Sequence, residues 1–116
     1  MMLNGSCHCG AVTFTVDADP PAEVINCNCS HCRRKGFLLA FYPVEQFTLT
    51  KGEAALQSYF FNRHVIEHQF CQTCGCEPYA KGVGPDGKPV RAVNLRCVEN
   101  VDLDALSVRQ FDGAKL

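Results

Sequence analysis

Gly5-Ser6-Cys7-His8-Cys9-Gly10-Ala11-Val12-Thr13-Phe14-Thr15-Val16 carries the two signals on which the fold reading turns. From Val12 to Val16 apolar and polar residues alternate, as in a strand with one face buried. Ahead of it stands a Cys-x-Cys turn closed by a glycine, a residue that accepts positive φ and so lets the backbone turn tightly behind two sulfurs. The same form returns at Cys71-Gln72-Thr73-Cys74-Gly75. Such turns present two thiolates to one ion, and zinc takes four ligands tetrahedrally. Two of them complete one four-cysteine site, although spacing alone leaves open which clusters pair. A site of this kind joins distant parts of the chain and contributes about 10–16 kcal/mol of apparent folding free energy.

Strand signals recur outward from this stretch. Phe37 to Tyr42 is a continuous apolar run that reads as a strand buried on both faces. Phe47 to Thr50 alternates and stops at Lys51-Gly52. Leu56 to Phe61 and Val65 to Phe70 read as two strands around a turn at Asn62-Arg63, and Val90 to Val98 as another. Gly82 to Pro89 is dense in turn chemistry, and Asp19-Pro20-Pro21 ends the first strand unit. Helix is expected only as single turns, at Ser30 to Lys35 and at Val101 to Leu106, the latter with Asn100 or Asp102 near its start. The expected architecture is all-β: one domain of short, mostly antiparallel strands.

Length and composition bound the reading. A chain of 116 residues fits one domain. With 47% hydrophobic and 20% charged residues it has the composition of a globular protein. Eleven basic against twelve acidic residues give a net charge of -1, which supplies no electrostatic case for nucleic acid or an anionic membrane. No apolar run is long enough to span a bilayer. The start, Met1-Met2-Leu3-Asn4-Gly5-Ser6, lacks the basic and apolar regions of a secretory signal. Nine cysteines are an odd number for a disulfide framework, and in a reducing, cytoplasmic setting they point to metal.

Cys27-Asn28-Cys29-Ser30-His31-Cys32 is the third cluster, with three cysteines and no fourth. Three protein ligands and an open position are the arrangement of a catalytic zinc site. The alternatives are a site closed by His31, Cys76 or Cys97, or three reduced thiols without metal.

Three motifs resemble those of the glutathione-dependent formaldehyde-activating enzyme family, which also includes centromere protein V. They are Gly5 to Phe14, Cys27-Asn28-Cys29-Ser30-His31-Cys32-Arg33-Arg34-Lys35-Gly36, and His68-Gln69-Phe70-Cys71-Gln72-Thr73-Cys74-Gly75. Val93 to Val98 and Phe111-Asp112-Gly113 are similar to its C-terminal features, so the resemblance runs in order along nearly the whole chain. It implies a β-tent fold, residues 1–116 as a single zinc-binding domain, and two Zn²⁺ per chain. Cys7, Cys9, Cys71 and Cys74 would hold a structural zinc, and Cys27, Cys29 and Cys32 a second, open one. The implied activity is that of a carbon–sulfur lyase acting on thiol–aldehyde adducts such as S-hydroxymethylglutathione, with glutathione and an aldehyde as small-molecule partners. The named enzyme is a distinctly longer chain, so its glutathione-binding segments need not all be present. A non-catalytic zinc-binding interaction module and a thiol redox protein using Cys27, Cys29 and Cys32 are the competing readings.

A thiol bound at the open zinc is held as thiolate, ready to attack a carbonyl. Arg33, Arg34 and Lys35 follow directly and are candidates for the carboxylates of a glutathione-like tripeptide, against the plainer reading of a solvated basic turn. The remaining candidates read blandly. His8 points away from the ion, and His31 is a half-exposed histidine. His64 and His68 share a strand face without forming a metal pair. Cys76 and Cys97 are buried free thiols, Cys97 on a late strand. Phe37, Phe41, Tyr42, Tyr59, Phe60 and Phe61 are core candidates, with Phe37 and Phe41 also able to wall a pocket beside Cys27 to Cys32.

Overall fold

A computed structural model describes residues 1–61 and 66–115. The alternation in Val12 to Val16 becomes a strand with Phe14 and Val16 fully buried and Thr13 and Thr15 half-buried. The strands in chain order are β1 (Met2–Ser6), β2 (Thr13–Asp17), β3 (Glu23–Cys27), β4 (Leu39–Pro43), β5 (Phe47–Lys51) and β6 (Leu56–Tyr59). They continue as β7 (Glu67–Cys71), β8 (Tyr79–Val83), β9 (Pro89–Asn94) and β10 (Ser107–Phe111). One α-helix, α1 (Ser30–Lys35), lies between β3 and β4. Among the described residues the strands form two sheets, one ordered β1-β2-β5 and one ordered β10-β3-β4-β9-β8-β7-β6. Every pair is antiparallel except β10 with β3, which run parallel. The all-β, mostly antiparallel expectation holds.

The core lies where the small sheet covers the large one. Leu3, Phe14 and Val16 pack with Val24, Ala40, Tyr42, Val93, Leu95 and Val98. Phe14 stacks on Phe47 at 5.3 Å, and Phe47 meets Tyr79 of the large sheet at 4.5 Å. Burying a phenylalanine of this kind stabilises the fold by roughly 1.5–3 kcal/mol. Gly5 stands opposite Phe14 in the β1–β2 ladder, where a Cβ would overlap the ring.

Several local expectations shift. The run Phe37 to Tyr42 is not buried on both faces: β4 buries Ala40 and Tyr42 and turns Phe41, 52% exposed, to solvent. Tyr59 and Phe60 are exposed as well, so three of the six aromatic core candidates lie outside it. Only one face of the large sheet meets the small one, and the period of two sends alternate residues outward whatever their hydropathy. Val90 to Val98 is strand only as far as Asn94; Leu95–Cys97 is a 3-10 turn, so Cys97 is not on a strand. The turn at Val101 to Leu106 appears as a 3-10 turn at Leu103–Ala105, with the N–H of Asp104 donating to Asp102. The Asn62-Arg63 turn and His64 lie outside the described residues.

Candidate metal centres

Cys7 directly follows β1, and Cys71 is the last residue of β7. The glycines that close the two turns adopt positive φ, 81° at Gly10 and 80° at Gly75. The N–H of Gly10 donates to the Cys7 carbonyl, and the N–H of Gly75 to that of Cys71. These turns bring Cys7, Cys9, Cys71 and Cys74 together, each with its sulfur within 4.8 Å of the others. The Cys7–Cys9 and Cys9–Cys71 sulfur separations are both 3.7 Å. Tetrahedral zinc with bonds of about 2.3 Å sets its sulfurs about 3.8 Å apart, so the donors fit that ion. Backbone N–H groups favour the thiolate form. The N–H of Cys76, above all, holds the Cys74 thiol down at about 5, and the N–H of Cys74 lowers Cys71. Val12, Leu49, Ala55 and Leu56 pack around the group.

Cys27, Cys29 and Cys32 form a second group, at the end of β3 and the start of α1. Cys29 is the helix N-cap, and its sulfur accepts from the N–H of Cys32 at 3.3 Å. The Cys27 sulfur accepts from the N–H of Cys29 at 3.5 Å. Burial works to raise the Cys29 thiol, yet the N–H groups of Cys32 and His31 bring it below its ordinary value. Burial raises both Cys27 and Cys32. Among the described residues no fourth histidine, cysteine or carboxylate donor completes this group. The C-terminal segment lies directly over it. Asn28 donates to Asp112 at 3.0 Å and accepts from the N–H of Ala114 at 2.9 Å. A Cβ on Gly113 would stand 2.5 Å from the Cys27 sulfur.

A third group consists of His31, His68 and Glu77, from α1, β7 and the segment after the Cys74 turn. Glu77 faces both rings, with His68 Nδ1 at 2.9 Å and His31 Nε2 at 3.5 Å. The rings lie 4.0 Å apart, and Phe37, Tyr59 and Phe61 flank His31. Burial, with His68 and Lys35 adding to it, pushes His31 down to about 4. The expectation of a half-exposed His31 is thereby corrected: its side chain is 11% exposed and ring-stacked. Sequence reasoning missed Glu77 altogether. Its only signal was a carboxylate in the apolar company of Cys76, Pro78 and Tyr79.

The other candidates separate. Arg33 and Arg34 are exposed on α1, and Arg34 donates to the Ser30 carbonyl of its own helix. His8 is exposed, and Phe37 is buried against Cys27 and Cys32 while Phe41 is not. Cys76 and Cys97 are partly buried rather than fully so and belong to none of the three groups. The Cys97 thiol is pushed up to about 12 by burial. Asn94 ties this region together: it donates to the Glu77 carbonyl and accepts from the N–H groups of Leu38 and Arg96. Arg96 in turn donates to the carbonyl of Gly36, the C-cap of α1.

The sequence model of the family described as "Glutathione-dependent formaldehyde-activating enzyme" matches residues 2–110. A Halomonas elongata relative named after the same activity is 53% identical over 34 residues, which are 29% of this chain and 22% of the relative. That alignment therefore spans only about a fifth of the relative's length. A crystal structure of a Rhodobacter sphaeroides protein superposes with a TM-score of 0.78 at 28% identity, over 94% of this chain and all of that one.

Proposed function

This chain belongs to the glutathione-dependent formaldehyde-activating enzyme family, and from that premise we propose that it is a zinc-dependent carbon–sulfur lyase-type enzyme working on S-hydroxymethylglutathione or a similar thiol–aldehyde adduct. In this reading residues 1–116 act as one zinc-binding unit of the β-tent type. Cys7, Cys9, Cys71 and Cys74 hold a structural Zn²⁺, and Cys27, Cys29 and Cys32 hold a second. The observation that carries the proposal is the three-thiol group at β3 and α1, with no fourth protein donor among the described residues. Bound zinc there supplies Lewis acidity and a place where a substrate thiol stays deprotonated.

The reaction adds a thiol S–H across an aldehyde C=O. A carbon–sulfur bond forms and the proton passes to the carbonyl oxygen; the reverse breaks that bond and releases both molecules. The chain's part is to bind and orient. Cys29, as N-cap, locks the helix start to the sulfur group. Phe37 packs on Cys27 and Cys32, and the Phe111–Ala114 segment is hydrogen-bonded to Asn28 beside them. Arg33 and Arg34, exposed one turn on, are assigned to the carboxylates of glutathione. No helix of the described residues is long and apolar enough to cross a membrane; the cytoplasm, where thiols stay reduced, is the proposed place of action.

The test is zinc per chain by elemental analysis of tag-free protein purified without chelator, beside a Cys29→Ser variant. Exchange between glutathione and formaldehyde is followed by NMR on both. Serine is itself a good N-cap, so α1 keeps its start. Two zincs falling to one, with accelerated exchange lost and the fold retained, are expected. Unchanged exchange in the variant would overturn the assignment.

A further inference from the structure

His31, His68 and Glu77 are not used by either cysteine group, yet they form a polar cluster with little exposure to solvent. Their side chains are 11%, 6% and 3% exposed. They come from three separate segments, so no local turn forces them together. One donor atom from each lies within 4.8 Å of the other two. Although His31 sits between Cys29 and Cys32 in sequence, its ring joins this cluster and not the thiols.

The cluster is also short of partners. His31 Nδ1, His68 Nε2 and Glu77 Oε1 are buried without a hydrogen bond. A buried polar group left in this state costs about 1–3 kcal/mol, and more when it is charged. Of these, Glu77 Oε1 is the one that faces a ring nitrogen, and an ion shared with that nitrogen would satisfy it. Glu77 Oε1 stands 3.5 Å from His31 Nε2 without bonding to it. That spacing is poor for a hydrogen bond but close to the roughly 3.4 Å between donors sharing a tetrahedral zinc at about 2.0–2.1 Å. Two imidazoles and one carboxylate are the donor set of open zinc sites and of ferrous facial triads.

We propose that His31, His68 and Glu77 form a third metal site, for a divalent transition ion of the zinc class, distinct from both cysteine groups. The ion satisfies the unpartnered oxygen of the buried carboxylate and takes one nitrogen of each ring. Phe37, Tyr59 and Phe61 beside His31 supply apolar walls, so its open positions suit water or a small neutral oxygen ligand.

The site is read by metal content and spectrum, independently of turnover, so the proposal stands or falls apart from the one on Cys27, Cys29 and Cys32. Full-length protein freed of metal is refolded by stepwise addition of Co²⁺, and Zn²⁺ per chain is measured by elemental analysis at saturation. Cobalt bound by cysteine shows thiolate charge-transfer bands. The third equivalent is expected to add only the weak visible bands of a nitrogen–oxygen site after those have saturated. Glu77→Gln and His68→Asn are each expected to lose that one equivalent and keep the thiolate bands. His31→Phe, which preserves an aromatic ring in the stack, is expected to do the same should either of the others misfold. A wild-type protein that takes up no metal beyond its thiolate-bound ions overturns the proposal, as do folded variants that bind as much as wild type.

Discussion

The four-cysteine junction and the three-cysteine group use the same donor chemistry for opposite structural ends. Cys7 follows β1 of the small sheet and Cys71 ends β7 of the large one, 64 positions on, so the donors of the junction close a long loop between the two sheets. Cys27, Cys29 and Cys32 span six residues of one strand-to-helix turn, which the backbone shapes by itself. On the proposed two-zinc reading, removing a donor from the first is expected to undo tertiary structure, and removing one from the second to leave the sheets alone. In the proposed reading, fold and reactivity are separated by sequence distance rather than by ligand type.

The largest test of that contrast is Cys71→Ser. Cys71 is fully buried, and losing the zinc proposed there would forfeit on the order of 10 kcal/mol, comparable to a whole domain's stability. Far-ultraviolet circular dichroism should show an unfolded chain, as should wild type stripped by a strong chelator; a folded Cys71→Ser protein would break the comparison. Gly113→Ala should act next most strongly. Its Cβ collides with the Cys27 sulfur, and relieving such overpacking costs about 1–3 kcal/mol. Metal should leave the three-cysteine group while the junction keeps its ion, as read by zinc per chain and thermal melting. The smallest effect is expected from Asn28→Ala, which removes two exposed hydrogen bonds to the C-terminal segment, worth about 1 kcal/mol together. Amide exchange should quicken at 111–115 and nowhere in β1 or β7.

Much of this was legible before any coordinates. The two glycine-closed turns announce themselves because ligand spacing and a positive-φ residue are local properties, and Gly10 and Gly75 adopt that conformation. The helical turn expected at Ser30 to Lys35 is α1, while the N-cap role of Cys29 comes from the structure. Other elements left no mark. β1 buries alternate positions, but one of them is Gly5, and every residue of β10 is exposed, so neither strand shows an apolar period in its sequence. Pairing holds β10: it runs parallel to β3, with Arg109 on Glu23 at 3.0 Å and Asn26 on Gln110 at 3.0 Å. Phe41 was misjudged because hydropathy does not say which face of a sheet will be covered.

What the sequence by itself determined is everything that reaches only a few residues: the glycine-closed cysteine turns, the strand alternation of Val12 to Val16, the helical turn at Ser30 to Lys35. What only the tertiary structure decided is the meeting of His31, His68 and Glu77. Each is unremarkable in its own segment. They converge because β7 pairs with β6 and β8 in a register that sets His68 opposite Tyr59 and Ala80. A slip of one residue would turn the His68 ring to the other face of the sheet. Register is set by packing across the whole sheet, and no local spacing encodes it.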